Sequence, residues 1–122
     1  MKLTYVTHVF PPESIGDPFN CLELAKRMTQ RKHQVTVLTW NKKNSADFME
    51  DVNGINVLRL KGINFKLNGE ITEYPYVPKL KYVIKQMKTE ILHAHSIMFL
   101  TTYQAIRAAK SMKIPRVVSV HG

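Results

Sequence analysis

An apolar run of β-branched and aromatic residues, Leu3 to Phe10, stops at Pro11-Pro12 and passes through Glu13-Ser14-Ile15-Gly16-Asp17 into a stretch of helical periodicity, Phe19 to Arg31. Proline cannot continue a ladder, so the run reads as a strand that ends there. In the second stretch Cys21, Leu24, Ala25 and Met28 recur at i, i+3, i+4 and i+7, and Glu23, Lys26, Arg27 and Gln30 take the other side. Asp17 before Pro18 reads as an N-cap followed by proline at the first helical position, where its missing N–H costs nothing. After the short turn at Lys32-His33, Gln34 to Thr39 is strand-like again. Strand, helix and strand of these lengths make a parallel crossover, which restricts the chain to folds built on a parallel sheet.

The alternation continues to the end of the chain. Asn41 to Gly54 suits either a short helix or an irregular excursion, and Asn53-Gly54 forms a turn into a third strand, Ile55 to Leu60. Lys61 to Val77 is loop-like. Pro78 opens a second amphipathic helix to Lys88, where Leu80, Val83, Ile84 and Met87 share a face and Lys79, Lys81, Lys85 and Lys88 lie largely outside it. Ile91 to Ala94 reads as strand four, Ile97 to Met112 as a helix with Ala105, Ile106 and Ala109 available for close packing, and Arg116 to Val120 as strand five. The expected fold class is α/β: a Rossmann-like, doubly wound, mainly parallel sheet of order 3-2-1-4-5 with helices on both faces.

A chain of 122 residues holds one core or part of one. It stops at His121-Gly122 directly after a strand, so the expected organisation is a single domain over 1–122, incomplete at its C-terminal end. Apolar residues at 44% and charged ones at 22% exclude a disordered chain. No apolar run approaches the ~20 residues of a membrane span, and a strand pattern stands where a signal peptide would begin, so a cytoplasmic location is expected. The single cysteine, Cys21, lies at an apolar helical position and reads as a reduced, buried thiol. Eighteen Lys and Arg against nine acids give a formal charge of +9, which favours nucleic acid, anionic lipid or phosphorylated ligands without choosing among them.

In the 3-2-1-4-5 order the sheet reverses direction between strands one and four, and the loops leaving their carboxyl ends splay apart around a crevice. Three loops converge there: Pro11 to Asp17, His95-Ser96, and His121-Gly122. Gly16 permits close backbone approach, the following helix offers N–H groups, and imidazoles donate to phosphate or hydroxyl oxygens. Substrate binding is therefore assigned to Ser14, Gly16, Asp17, His95, Ser96 and Gly122. His93 reads as a packed, hydrogen-bonded residue and His33 as a structural one at the helix-to-strand turn; His8 stands between cleft and core. Neither a dinucleotide fingerprint nor a P-loop occurs, and no Cys or carboxylate cluster accompanies the histidines, so no cofactor and no metal are expected.

Phe10-Pro11-Pro12, Gly16, Leu24-Ala25, the run Arg31-Lys32-His33-Gln34-Val35-Thr36-Val37-Leu38-Thr39, His93-Ala94-His95-Ser96, Ile114-Pro115 and Val120-His121-Gly122 together resemble the amino-terminal half of family 4 glycosyltransferases. The resemblance runs in order over nearly the whole chain. It implies the two-domain GT-B fold and a retaining transferase that moves a sugar from a nucleotide-sugar donor to a glycosyl acceptor. The amino-terminal domain would contact mainly the acceptor, and a C-terminal domain would hold the donor nucleotide. It further implies that His121 lies in the cleft and orients or hydrogen-bonds the reactants, which makes it the candidate catalytic residue. The piece alone is then expected to be inactive, because the groups that stabilise the leaving diphosphate belong to the other half.

Two departures carry information. Ile15-Gly16 stands where the family has Gly-Gly, and Lys32 stands where it prefers glycine, a helix C′ position that favours the left-handed region. The alternative to a transferase half is a stand-alone basic module for nucleic acid or anionic membrane surfaces, motivated by the charge alone. Within the transferase reading nucleic acid is disfavoured as a partner, and the 78–88 helix is the candidate for peripheral contact with an anionic membrane.

Overall fold

The computed structural model describes residues 1–8, 17–42, 46–52, 54–65, 74–95 and 99–119. Its elements are β1 (Lys2–Val6), α1 (Asp17–Gln30), β2 (Gln34–Trp40), β3 (Phe48–Val52), β4 (Ile55–Leu60), β5 (Ile63–Asn64), β6 (Pro75–Tyr76), α2 (Leu80–Gln86), β7 (Ile91–His95), α3 (Leu100–Ser111) and β8 (Arg116–Ser119). The six-stranded sheet runs β3-β4-β2-β1-β7-β8, and every neighbouring pair is parallel except β3 with β4. The five strands read from the sequence take the order 3-2-1-4-5, and β1 is the point where the winding reverses.

Three local readings are corrected. In the 41–54 connection, where the sequence suits a short helix or an irregular excursion, residues 48–52 form the antiparallel edge strand β3, paired with β4 from Phe48↔Arg59 to Val52↔Ile55. The segment after Lys61 is not all loop, because β5 and β6 form a small sheet of their own. Pro78 lies in a turn, and the second helix begins two residues later at Leu80.

Side-chain alternation divides the core between the two faces of the sheet. On one face Leu3, Tyr5, Val35, Val37, Ile55 and Val57 are buried with Cys21, Leu22 and Ala25 of α1. On the other, Val6, Leu38, Trp40, Leu60, Leu92 and Ala94 meet Leu80 and Ile84 of α2 and the three alanines of α3, Ala105, Ala108 and Ala109. Alanines at i, i+3 and i+4 let α3 approach the strands closely. Polar groups in this core are tied together: the Thr89 hydroxyl donates to the Ile84 carbonyl at 3.2 Å and accepts from Thr4 Oγ1 at 2.7 Å, which joins the end of α2 to β1. At the other end of that layer the Gln104 amide accepts from the Val77 N–H at 3.0 Å and donates to the Val77 carbonyl at 2.8 Å, clamping the start of α2 to α3. Asp47 accepts from the Lys61 N–H at 3.0 Å and from Lys79 Nζ at 3.3 Å, and these bonds hold its carboxyl below the usual carboxylate range.

Each of the three described helices is followed by a lysine in the left-handed region: Lys32 at φ 66°, Lys88 at 53° and Lys113 at 57°. The ends of α1 and α3 are Schellman motifs. His33 N–H donates to Met28 O and Lys32 N–H to Thr29 O; Ile114 N–H donates to Ala109 O and Lys113 N–H to Lys110 O. After α2 the Thr89 hydroxyl takes the outer bond, to Ile84 O. A Cβ at positive φ is strained, so Lys32→Gly relieves strain and loses part of that gain to the entropy of the unfolded glycine. The expected net stabilisation is about 0.5–1 kcal/mol, read as a rise in the urea midpoint; a fall would count against this helix end.

Candidate functional site

Parallel β1, β7 and β8 end on the same edge of the sheet, so the chain leaves toward 9–16 after His8, toward 96–98 after His95 and toward 120–122 after Ser119 from one rim. The rim is held by short bonds at each strand end. Thr7 N–H donates to Leu38 O at 3.1 Å, Asn41 N–H to Leu60 O at 2.7 Å, and Asn41 Nδ2 to Ala46 O at 2.7 Å. The Thr102 hydroxyl in the first turn of α3 donates to the His95 carbonyl at 3.1 Å. The imidazole of His8 stacks on Phe99 with ring centroids 3.5 Å apart and planes 9° from parallel, joining the end of β1 to the start of α3.

The histidines of β7 form one cluster. Because β7 alternates, His93 and His95 lie on the same face, stacked with centroids 4.3 Å apart, and Tyr5 of neighbouring β1 meets them edge-on and tilted at 5.1 and 5.5 Å. The Ser119 hydroxyl on β8 shares a hydrogen bond with His93 Nε2, fixing the strand that leads to His121 against β7. Burial, with Cys21 adding to it, pushes the Tyr5 phenol up to about 12, so it stays neutral at physiological pH. Burial likewise pushes the Cys21 thiol up and removes thiolate chemistry from it.

Of the residues assigned to the site, Asp17 is the first residue of α1, and His95 is the last residue of β7, in register with Ser119 and 1% exposed. His95 thus belongs to the ladder and to the aromatic cluster just beneath the rim. Ser14, Gly16, Ser96, His121 and Gly122 lie outside the described residues. The contacts that sequence reasoning missed are the His8–Phe99 stack, the Thr102 bond and the Ser119 bond. The His8–Phe99 and His93–Ser119 contacts join residues distant along the chain, hinted at only by the strand-end position of His8 and the hydrogen-bonded reading of His93, and the Thr102 bond bridges the turn between β7 and α3. Among the described residues no group of three or more His, Cys, Asp or Glu side chains is placed to hold a metal ion.

A doubly wound, mostly parallel sheet with helices on both faces, whose strands β1, β7 and β8 end at one rim, defines a Rossmann-like α/β domain. Residues 20–122 match the family model of Glycosyltransferase Family 4, and the chain belongs to that family. Among solved structures, sucrose-phosphate synthase from Thermosynechococcus elongatus is similar, with a TM-score of 0.60 and 10% identity over 99% of this chain and 33% of that one. At that identity the likeness speaks for the fold, and the chain spans about a third of that protein's length. No curated protein matches the chain by sequence. No described helix is long and apolar enough to cross a membrane.

Proposed function

We propose that residues 1–122 form the amino-terminal, acceptor-side domain of a retaining glycosyltransferase that moves a sugar from a nucleotide-sugar donor to a glycosyl acceptor. What supports this reading is the family match over 20–122 together with the common rim from which the segments after β1, β7 and β8 leave. In this reading Ser14, Gly16, Asp17, Ser96 and Gly122 surround the acceptor and the transferred sugar, and His95, buried just beneath the rim, supports them from below. His121 orients the reacting groups by hydrogen bonding, and a second domain holds the donor diphosphate. That second domain supplies the positive charge against which the leaving group departs, so the 122-residue chain alone turns nothing over. The chemistry invokes no metal and no cofactor.

The test is sugar transfer from a panel of labelled nucleotide sugars, with the anomeric configuration of the product read by NMR. The protein extended through its second domain is expected to transfer with retention, His121→Ala in it to lower turnover without moving the melting temperature, and the 122-residue chain to be inactive. Inversion of configuration, or turnover by the chain alone, would overturn the assignment.

A further inference from the structure

The charge of this protein is unevenly placed. From Tyr74 to Ser119 the sequence holds eight of the 18 basic residues and one acid, Glu90, which accepts the backbone N–H of Lys2. Neither α2 (LKYVIKQ) nor α3 (LTTYQAIRAAKS) contains a carboxylate. Both helices bury one stripe, Leu80 and Ile84 in α2 and the alanines in α3, so their opposite stripes face outward. Those stripes carry Lys81, Tyr82 and Lys85 on α2 and Tyr103, Arg107 and Lys110 on α3, all exposed. Among the described residues none of these four cations has an ion-pair partner.

The two stripes form one surface. The Gln104–Val77 bonds hold the helices side by side, and a groove of about 450 Å³ between them is lined by both Lys81 and Arg107, with Tyr76, Gln104 and Ser111. Tyr82 is 63% exposed and Tyr103 56%, large aromatic areas that the core does not use. Basic side chains with long apolar stems beside tyrosines suit the headgroup boundary of a bilayer, where stems and rings are buried and charges and hydroxyls stay wet. Single-stranded nucleic acid instead needs a continuous basic track with aromatics to stack successive bases. Here Tyr82 and Tyr103 stand on the outer faces of the two helices and the exposed Tyr76 lines the groove between them, so the aromatics are spread over separate elements and do not follow one another along a single basic track. The groove of about 450 Å³ suits a single headgroup phosphate.

We propose that the outer face of the α2–α3 pair docks on an anionic lipid bilayer, with Lys81, Lys85, Arg107 and Lys110 against the headgroup phosphates and Tyr82 and Tyr103 in the interface. The proposal rests on this surface and not on the transferase reading. It extends the expectation for the 78–88 helix to a two-helix face.

The experiment is sedimentation of the 122-residue chain with vesicles of phosphatidylcholine alone and with about one-third phosphatidylglycerol, at low and high salt. Binding is expected to the anionic vesicles only and to weaken as salt rises. Each basic residue near the surface accounts for roughly a fivefold change in affinity, so Lys81→Glu/Arg107→Glu should weaken binding at least about twentyfold. Arg27→Glu/Arg31→Glu, an equal change in net charge on and beside α1, should weaken it by less than about threefold. Tyr82→Ser/Tyr103→Ser should weaken it at unchanged net charge. If the first variant fails to fold by circular dichroism, Lys81→Gln/Arg107→Gln takes its place. Equal losses from the two charge-reversed pairs, binding to neutral vesicles as strong as to anionic ones, or a single-stranded oligonucleotide displacing the vesicles at equal phosphate concentration would each overturn the proposal.

Discussion

Replacing Glu50 with alanine is expected to lower stability by about 2–3 kcal/mol, and replacing Glu50 and Arg59 together by leucine and methionine to bring it back to within about 1 kcal/mol of the parent. Arg59 on β4 is 3% exposed, and its Nε and Nη2 both point at Glu50 Oε1, at 3.0 and 2.9 Å. Glu50 on β3 pairs with Val57, one diagonal step from Arg59 on the same face. A guanidinium out of water is costly unless a carboxylate compensates it. In Glu50→Ala it keeps its remaining contacts but loses the Glu50 carboxylate. The expected loss is set below that of a fully buried pair because Glu50 is 28% exposed. With both charges gone, desolvation and attraction vanish together. Urea denaturation of Glu50→Leu, Arg59→Met and the double variant closes the cycle, with Glu50→Ala measured beside it. A double variant as unstable as Glu50→Ala would mean that the loss comes from packing of the edge strand and not from removal of the Glu50 carboxylate beside Arg59.

Leu38→Ala should cost about 3–4 kcal/mol and lower the melting temperature by roughly 10 °C or more. Leu38 is fully buried in β2, which is flanked by parallel strands on both sides, with Val6 and Leu58 as its register partners. Above it lie the residues of α2 and α3 that close the same cluster. With its own carbonyl accepting from Thr7 N–H, the strand has little freedom to sink into the space left by the side chain, so most of the cavity remains. Leu58, in the same row but partly buried, should lose about half as much on truncation, because solvent already meets one side of it. Equal losses at the two positions would show that the row is not centred on β2. A domain of this size has about 5–15 kcal/mol in total, so Leu38→Ala removes a large share of it.

The five parallel strands were legible because each is a short run rich in β-branched and apolar residues, buried on both faces in β1 and β2 and more open toward the edge at β8, and the alternation with helices follows from the 3.6-residue spacing of Cys21, Leu24, Ala25 and Met28 and of Leu80, Ile84 and Met87. Strand β3 was not. Phe48 and Met49 are exposed and the segment has no buried stripe; it is a strand because β4 offers an open edge and Arg59 offers a partner for Glu50. The left-handed position of Lys32 was readable because it stands where the family that the chain resembles prefers glycine. The same conformation at Lys88 and Lys113 carries no distinguishing residue, since lysine is not what that region favours. Gly62 is another such case: a Cβ there would lie 2.7 Å from the Tyr76 carbonyl oxygen and 2.9 Å from Trp40 Cδ1, a close approach that no local pattern announces.

For the site, residue types and chain order were enough to name the rim segments, because a parallel sheet with one switch point sends its successive strand ends to a common edge. Which side chains meet beneath that edge depends on register across β1, β7 and β8. Tyr5 faces His93, His95 faces Ser119, and the His8 ring reaches Phe99, all through pairings between residues dozens of positions apart. By itself, then, the sequence determined the alternation of strands and helices, which follows from periodicity and turn chemistry within short windows and makes 3-2-1-4-5 the common order to expect, and it carried the motifs of the family resemblance. Only the tertiary structure decided the edge strand, the buried ion pair, the histidine cluster and the joining of two basic helix stripes into one face, because each depends on contacts between segments whose relative placement no local pattern encodes.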